Sequence, residues 1–150
     1  MMPTKHITPP YLTAQIILGV LFLLGGISIY LLFRSETITL NQWFASLGMK
    51  ETLGTLREGV SHWDVPSFVR FSLPDGLYCA SYILLMDAVW KKNRRPLRLL
   101  AVSLIPLIAI IHELLQAAGM AKGTFDWGDL LCYSIPLLLY YWLSRPQAVL

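Results

Sequence analysis

The chain has 150 residues, of which 55% are hydrophobic and only 14% are charged, and its formal net charge is +3. This composition argues against a water-soluble domain, in which about 25% of residues are charged. Nucleic-acid binding is not indicated either, because five of the twelve basic residues lie in one short link between apolar segments, without interleaved aromatics. We therefore predict an all-α, polytopic membrane protein that forms one membrane domain over residues 1–150.

The first apolar segment, residues 11–33, follows a polar lead of ten residues and contains no charge. Its length is typical of a retained membrane-spanning helix, since a span needs about 20 apolar residues and no signal-peptide cleavage pattern is present. One helical face carries small and polar residues that would let a second helix approach closely. These residues are Gln15, Gly19, Phe22, Gly26 and Tyr30.

The connection over residues 34–70 holds four basic and four acidic residues and is too charged to cross a membrane. Within it, Leu40, Trp43, Phe44 and Leu47 follow the spacing of an amphipathic helix. We predict an outer loop with short amphipathic helices that lie on the membrane surface; the alternative is that they cap the helix bundle.

The second apolar segment, residues 71–90, carries Asp75 near its start and Tyr78 on the same helical face. Near its end, Asp87 precedes Lys91 by four residues. That spacing predicts an ion pair within the helix.

The third and fourth segments cover residues 97–118 and 127–144, and a proline in the middle of each predicts a kink. Asp126 is a helix N-cap candidate, and Asp129 lies three residues further on. This spacing is an acidic analogue of the capping box.

The basic link between the second and third segments predicts the orientation, because positively charged short loops stay in the cytoplasm. Both termini are then cytoplasmic, the protein is a multi-pass protein of the cytoplasmic membrane, and the polar ends of three helices meet at the outer face. The residues expected to form a binding pocket there are Asp75, Glu113, Gln116, Asp126 and Asp129, with His112, Tyr78 and Tyr133 beside them.

Three carboxylates at one depth cannot all remain ionised cheaply, so this pocket predicts a bound proton, a cation or a basic partner. Arg70, Lys122 and His112 are the candidate partners within the chain. Two structural alternatives stay open: helix capping for Asp126 and Asp129, and an interhelical hydrogen-bond network for Glu113 and Gln116.

Residues 112–116 spell HELLQ, one residue short of the HExxH zinc-protease signature, and glutamine is a poor substitute for the second histidine. We assign no metal site and no cofactor. An intramembrane enzyme is the third interpretation, and it rests only on the clustered carboxylates and HELLQ. No serine or cysteine nucleophile has an adjacent base at recognisable spacing, and no glycine-rich phosphate loop is present. Cys79 and Cys132 lie on the same side and could meet, although buried free thiols are the commoner outcome.

The motifs PDGLY at the start of the second segment, HELLQ at the end of the third and TFDWGDLL at the start of the fourth resemble the VanZ-like family of small bacterial membrane proteins. Members carry an early acidic residue, then Glu-x-x-Gln, then Phe-Asp-x-x-Asp. The matching positions here are Asp75, Glu113, Gln116, Asp126 and Asp129. The resemblance covers residues 74–136 and implies a bacterial envelope protein, with a link to glycopeptide-antibiotic resistance for the founding members.

Two functions therefore compete. In the first, the outward-facing pocket binds the headgroup of a membrane lipid or cell-wall precursor, a cation or a proton. In the second, the chain is an accessory subunit that anchors a larger membrane protein, which the glycine face of the first helix and the long outer loop would favour.

Overall fold

The computed structural model describes residues 10–35 and 39–144, and the regular elements within these ranges are all helical. The α-helices are α1 (Pro10–Phe33), α2 (Thr39–Phe44), α3 (Lys50–Val60), α4 (Ser67–Phe71), α5 (Leu73–Val89), α6 (Arg95–Ala117) and α7 (Trp127–Leu143). The all-α class is confirmed. The polar lead before Pro10 and both termini lie outside the described residues, so their predicted cytoplasmic location stays a prediction.

The four long helices, α1, α5, α6 and α7, coincide with the four predicted apolar segments to within two residues at each end. Two stretches, Tyr11–Phe33 and Arg95–Ala117, are long and apolar enough to cross a membrane. Helices α5 and α7 have 17 residues each, or about 25 Å, which is the lower end of the length that spans a bilayer. Four membrane crossings therefore remain a prediction.

Helix α5 is the centre of the bundle and packs against α1, α6 and α7. The shared core is small: Cys79 and Ile83 of α5 pack with Val102 of α6 and Leu137 of α7. Many large apolar side chains on the outer faces of α1, α6 and α7 are exposed. This distribution is expected of helices surrounded by hydrocarbon, because apolar patches of this extent are rare on soluble monomers.

The glycine face of α1 packs against α5, as predicted. A Cβ atom at Gly19 would lie 3.0 Å from the Leu85 side chain, and one at Gly26 would lie 2.8 Å from the Tyr78 ring. On the same face, Gln15 Nε2 donates a hydrogen bond to a main-chain carbonyl of α5 at 2.9 Å. The close approach of α1 therefore serves contacts within the chain.

Asp87 joins all four long helices at what we call the basic end of the bundle, where α5 ends and α6 begins. Its carboxylate accepts hydrogen bonds from Tyr140 Oη (2.6 Å) and Gln15 Nε2 (2.9 Å), and it lies 3.5 Å from Arg98 Nε. The predicted ion pair with Lys91 is wrong. Helix α5 ends two residues before Lys91, which instead donates to Gln15 Oε1 at 3.3 Å.

The predicted outer loop contains short helices, as expected. Helices α2 and α3 are joined by a π-helical turn, Ala45–Met49, and we call the three pieces the outer hairpin. The chain changes direction at Gly48, whose φ of 80° is a conformation that favours glycine. Arg57 Nε of α3 donates to Leu31 O at 2.8 Å, and Asn41 Nδ2 of α2 donates to Ser35 O at 2.6 Å. These bonds fasten the hairpin to the end of α1, whose last carbonyls lack helical partners.

Candidate acidic site at the end of the bundle

Asp126 and Glu113 together cap the N-terminus of α7. Asp126 is the N-cap residue, and its Oδ1 accepts a hydrogen bond from Gly128 N at 2.6 Å. Its own main-chain N donates to Glu113 Oε2 at 3.3 Å, and Glu113 is buried with 6% of its surface exposed. In a capping box, a residue of the same helix would accept this second bond. Here an acid from α6 takes that place, and Asp129 does not.

Gln116 fixes the loop between α6 and α7. Its Nε2 donates to Lys122 O at 3.0 Å. The next residue, Gly123, has a φ of 124°, and a Cβ there would collide with the Gln116 amide. Glu113 and Gln116 thus hold the loop in place, which supports the hydrogen-bond-network alternative for these two residues.

Asp75 and Asp129 are the remaining acids of the cluster. The hydroxyl group of Tyr133 interacts with the Asp75 carboxylate. The carboxylates of Asp129 and Glu113 are close enough to repel that of Asp75 electrostatically. Asp129 Oδ1 is buried and has no hydrogen-bond partner among the residues described. A buried acceptor of this kind normally has a donor, so Asp129 has capacity for a further ligand.

Asp75 lies between two spaces. On one side a surface groove of about 450 Å³ runs between α5, α1 and the start of α2. On the other, a cavity of about 240 Å³ lies between α5, α6 and α7 and is lined largely by apolar groups, including Ile105, Pro106 and Ala109. Asp75 and Tyr78 line both.

Arg34, at the end of α1, is the basic group that reaches this site and that the sequence analysis missed. Its guanidinium carbon lies 5.0 Å from the centre of the Tyr30 ring and 4.9 Å from that of Phe71, and its charge attracts Asp75. The candidate His112, by contrast, is exposed on α6. Arg34 is the first charged residue after the long apolar segment of α1, and this position in the sequence is the signal that identifies it as a candidate partner for the acids.

Cys79 and Cys132 are both buried and free. Cys79 Sγ donates to Tyr133 O at 3.6 Å. A Cβ at Gly76 would lie 3.1 Å from Cys132 Cβ, so this glycine lets α5 and α7 approach closely. The thiols therefore behave as small packing groups beside the site.

Within the described ranges, no group of three or more His, Cys, Asp or Glu side chains is placed to hold a metal ion. Comparison of the chain with protein-family models, curated proteins and solved structures finds no match.

Proposed function

We propose that the chain is a multi-pass protein of the bacterial cytoplasmic membrane, distantly VanZ-like, that binds the polar headgroup of a membrane lipid or cell-wall precursor at its outer face. The observation that carries this proposal is the position of Asp75, which lines both a surface groove and an apolar cavity. A ligand with a polar head and an alkyl chain matches such a site, because pockets combine apolar walls with a few placed polar groups.

The acidic residues divide into two roles. Asp126 and Glu113 satisfy main-chain donors at the start of α7 and are already engaged in local structure. Asp75 and Asp129 are the pair that a ligand would use, with the free Asp129 oxygen accepting a hydroxyl or ammonium hydrogen. Arg34 would balance a phosphate in the same headgroup, since guanidinium groups favour phosphate oxygens.

The same two acids could hold a proton or a cation without a headgroup, and the identity of what co-purifies separates these cases. The accessory-subunit alternative rested on the glycine face of α1 and on the long outer loop, and only the loop still supports it. The glycine face of α1 is occupied by α5 and is not free for a partner.

The test is native mass spectrometry of protein extracted gently from its own membrane. The variant Asp75→Asn/Asp129→Asn is compared with wild type and with Asp64→Asn, a change of an exposed acid outside the site. We expect wild type and the control to retain a lipid or precursor that the double variant loses, with all three melting at similar temperatures.

Retention of the same ligand by the double variant would contradict the proposal. If the double variant does not fold, the single variants decide: a folded single variant that keeps the full ligand would show that its acid has no binding role.

A further inference from the structure

A further cavity lies between α2 and α3, in the outer hairpin and separate from the acidic site. It has a volume of about 200 Å³, the space of roughly seven water molecules. Two basic residues line it, Lys50 at the start of α3 and Arg57 two turns further along the same face of the helix. Leu53 supplies an apolar wall.

Asn41 is the residue that points to a ligand in this cavity. Its side chain is only 4% exposed and lines the cavity. The Nδ2 group donates to Ser35 O at 2.6 Å, while Oδ1 is buried and lacks a hydrogen-bond partner in the described part of the chain. A buried amide oxygen without a donor is costly, about 1–3 kcal/mol, so the site calls for a hydrogen-bond donor.

We propose that this cavity binds a phosphate ester that carries hydroxyl groups. Lys50 contacts the phosphate oxygens, and a hydroxyl of the same molecule donates to Asn41 Oδ1. Arg57, whose guanidinium already donates to Leu31 O and Arg34 O, adds the attraction of its positive charge. The volume matches a headgroup rather than a whole lipid, since pockets for larger ligands begin at about 300 Å³.

Two sources can supply this chemistry: a phosphatidylglycerol headgroup or a soluble phosphate ester. The surroundings favour the lipid. Trp43 and Leu47 of the same hairpin are 65% and 74% exposed, and such residues are typical of the interfacial layer where lipid phosphates lie.

Helix α3 contains two glycines at which a matched pair of variants can be made: Gly54 lines the cavity and Gly59 lies outside it. A Cβ at Gly54 or at Gly59 would meet no atom within 4 Å, but only Gly54 lines the cavity. Gly54→Leu should therefore fill the cavity, while Gly59→Leu makes the same chemical change on the same helix outside it. Lys50→Gln tests the phosphate contact at an exposed position.

Nanodiscs of equal phosphatidylcholine and phosphatidylglycerol provide the lipid arm, and native mass spectrometry counts the lipid retained by the protein. Calorimetry with glycerol 3-phosphate, on protein in phosphatidylcholine nanodiscs, provides the soluble arm. Wild type and Gly59→Leu should bind one or both probes, and Gly54→Leu and Lys50→Gln should weaken that binding by about tenfold or more.

Enrichment of phosphatidylglycerol alone assigns the lipid source, and binding of glycerol 3-phosphate without that enrichment assigns the soluble one. The proposal is overturned if Gly54→Leu binds the probes as wild type does. It is also overturned if wild type shows no preference for phosphatidylglycerol over phosphatidylcholine and does not bind glycerol 3-phosphate. None of these results depends on Asp75 or Asp129.

Discussion

Residues of one chemical type have different roles at the acidic site because neighbouring helices compete for the same donors. Asp126 and Asp129 are three positions apart at the start of α7, and helix capping by both is the structural alternative that their spacing offers to a role in the pocket. In the structure, Glu113 of α6 accepts the hydrogen bond from Asp126 N. Asp129 therefore does not accept a hydrogen bond in the helix cap. This outcome depends on how α6 packs against α7, and the spacing of the acids alone does not predict it.

Gly123 gives a direct test of the loop contact made by Gln116. Gly123→Ala places a Cβ into the Gln116 amide at a φ of 124°, so we expect a loss of about 1–3 kcal/mol in the free energy of unfolding. Gly59→Ala is the control, because its Cβ meets open space in a helix and alanine favours helix by about 0.5–1 kcal/mol. Thermal unfolding in detergent measures both; equal melting temperatures would contradict the loop assignment.

Asp87 gives the second residue test. Asp87→Asn removes the negative charge beside Arg98 and weakens the bonds from Gln15 and Tyr140. We expect a loss of about 2–4 kcal/mol, since an unpaired charge left in a largely buried network is costly. Asp64→Asn, at an exposed position, should change the melting temperature little. A variant at Asp87 that melts with the Asp64 control would show that the network does not join the helices.

At the scale of elements, the helices were predictable because each begins or ends on a strong local signal. A charge-free run fixes α1, Pro74 lies in the first turn of α5, and Asp126 caps α7. The predicted start of α5 lies two residues too early, because the apolar Phe71 belongs to the separate helix α4, which ends at that residue. Periodicity records which residues are apolar and does not record where one helix stops and the next starts.

The contact between α1 and α5 gives the test at this scale. Gly26→Ala would bring a Cβ to 2.8 Å from Tyr78 and 3.2 Å from Pro74 O, which should push the helices apart and cost about 1–3 kcal/mol. The adjacent change Gly25→Ala meets only Leu77 at 3.6 Å, an ordinary contact. We expect the first variant to melt at a lower temperature than the second. The reverse order would place the packing face of α1 elsewhere.

At the scale of the whole molecule, the order of the helices brings the acids together. Helices α6 and α7 are consecutive and joined by a short loop, so the sequence predicts that Glu113 lies near Asp126 and Asp129. It also placed Asp75 beside them. It did not predict the groove, the apolar cavity or the contribution of Arg34, because these depend on how α1 and α5 pack side by side.

The two ends of the bundle differ in chemistry, and the proposed function requires that they lie on opposite sides of a membrane. The acidic end holds Asp75 and Asp129, and the basic end holds Arg98 in the first turn of α6. A pocket that binds headgroups of the outer leaflet must open at the outer face.

Cysteine labelling in intact cells tests this placement most directly. In a background in which Cys79 and Cys132 are replaced by serine or alanine, one variant carries Lys122→Cys beside the acidic site and the other carries Asn93→Cys at the basic end. A membrane-impermeant maleimide added outside should label the first variant and not the second, until the cells are opened. Labelling only of the second variant would place the acidic site in the cytoplasm and contradict the account, as would equal labelling of both.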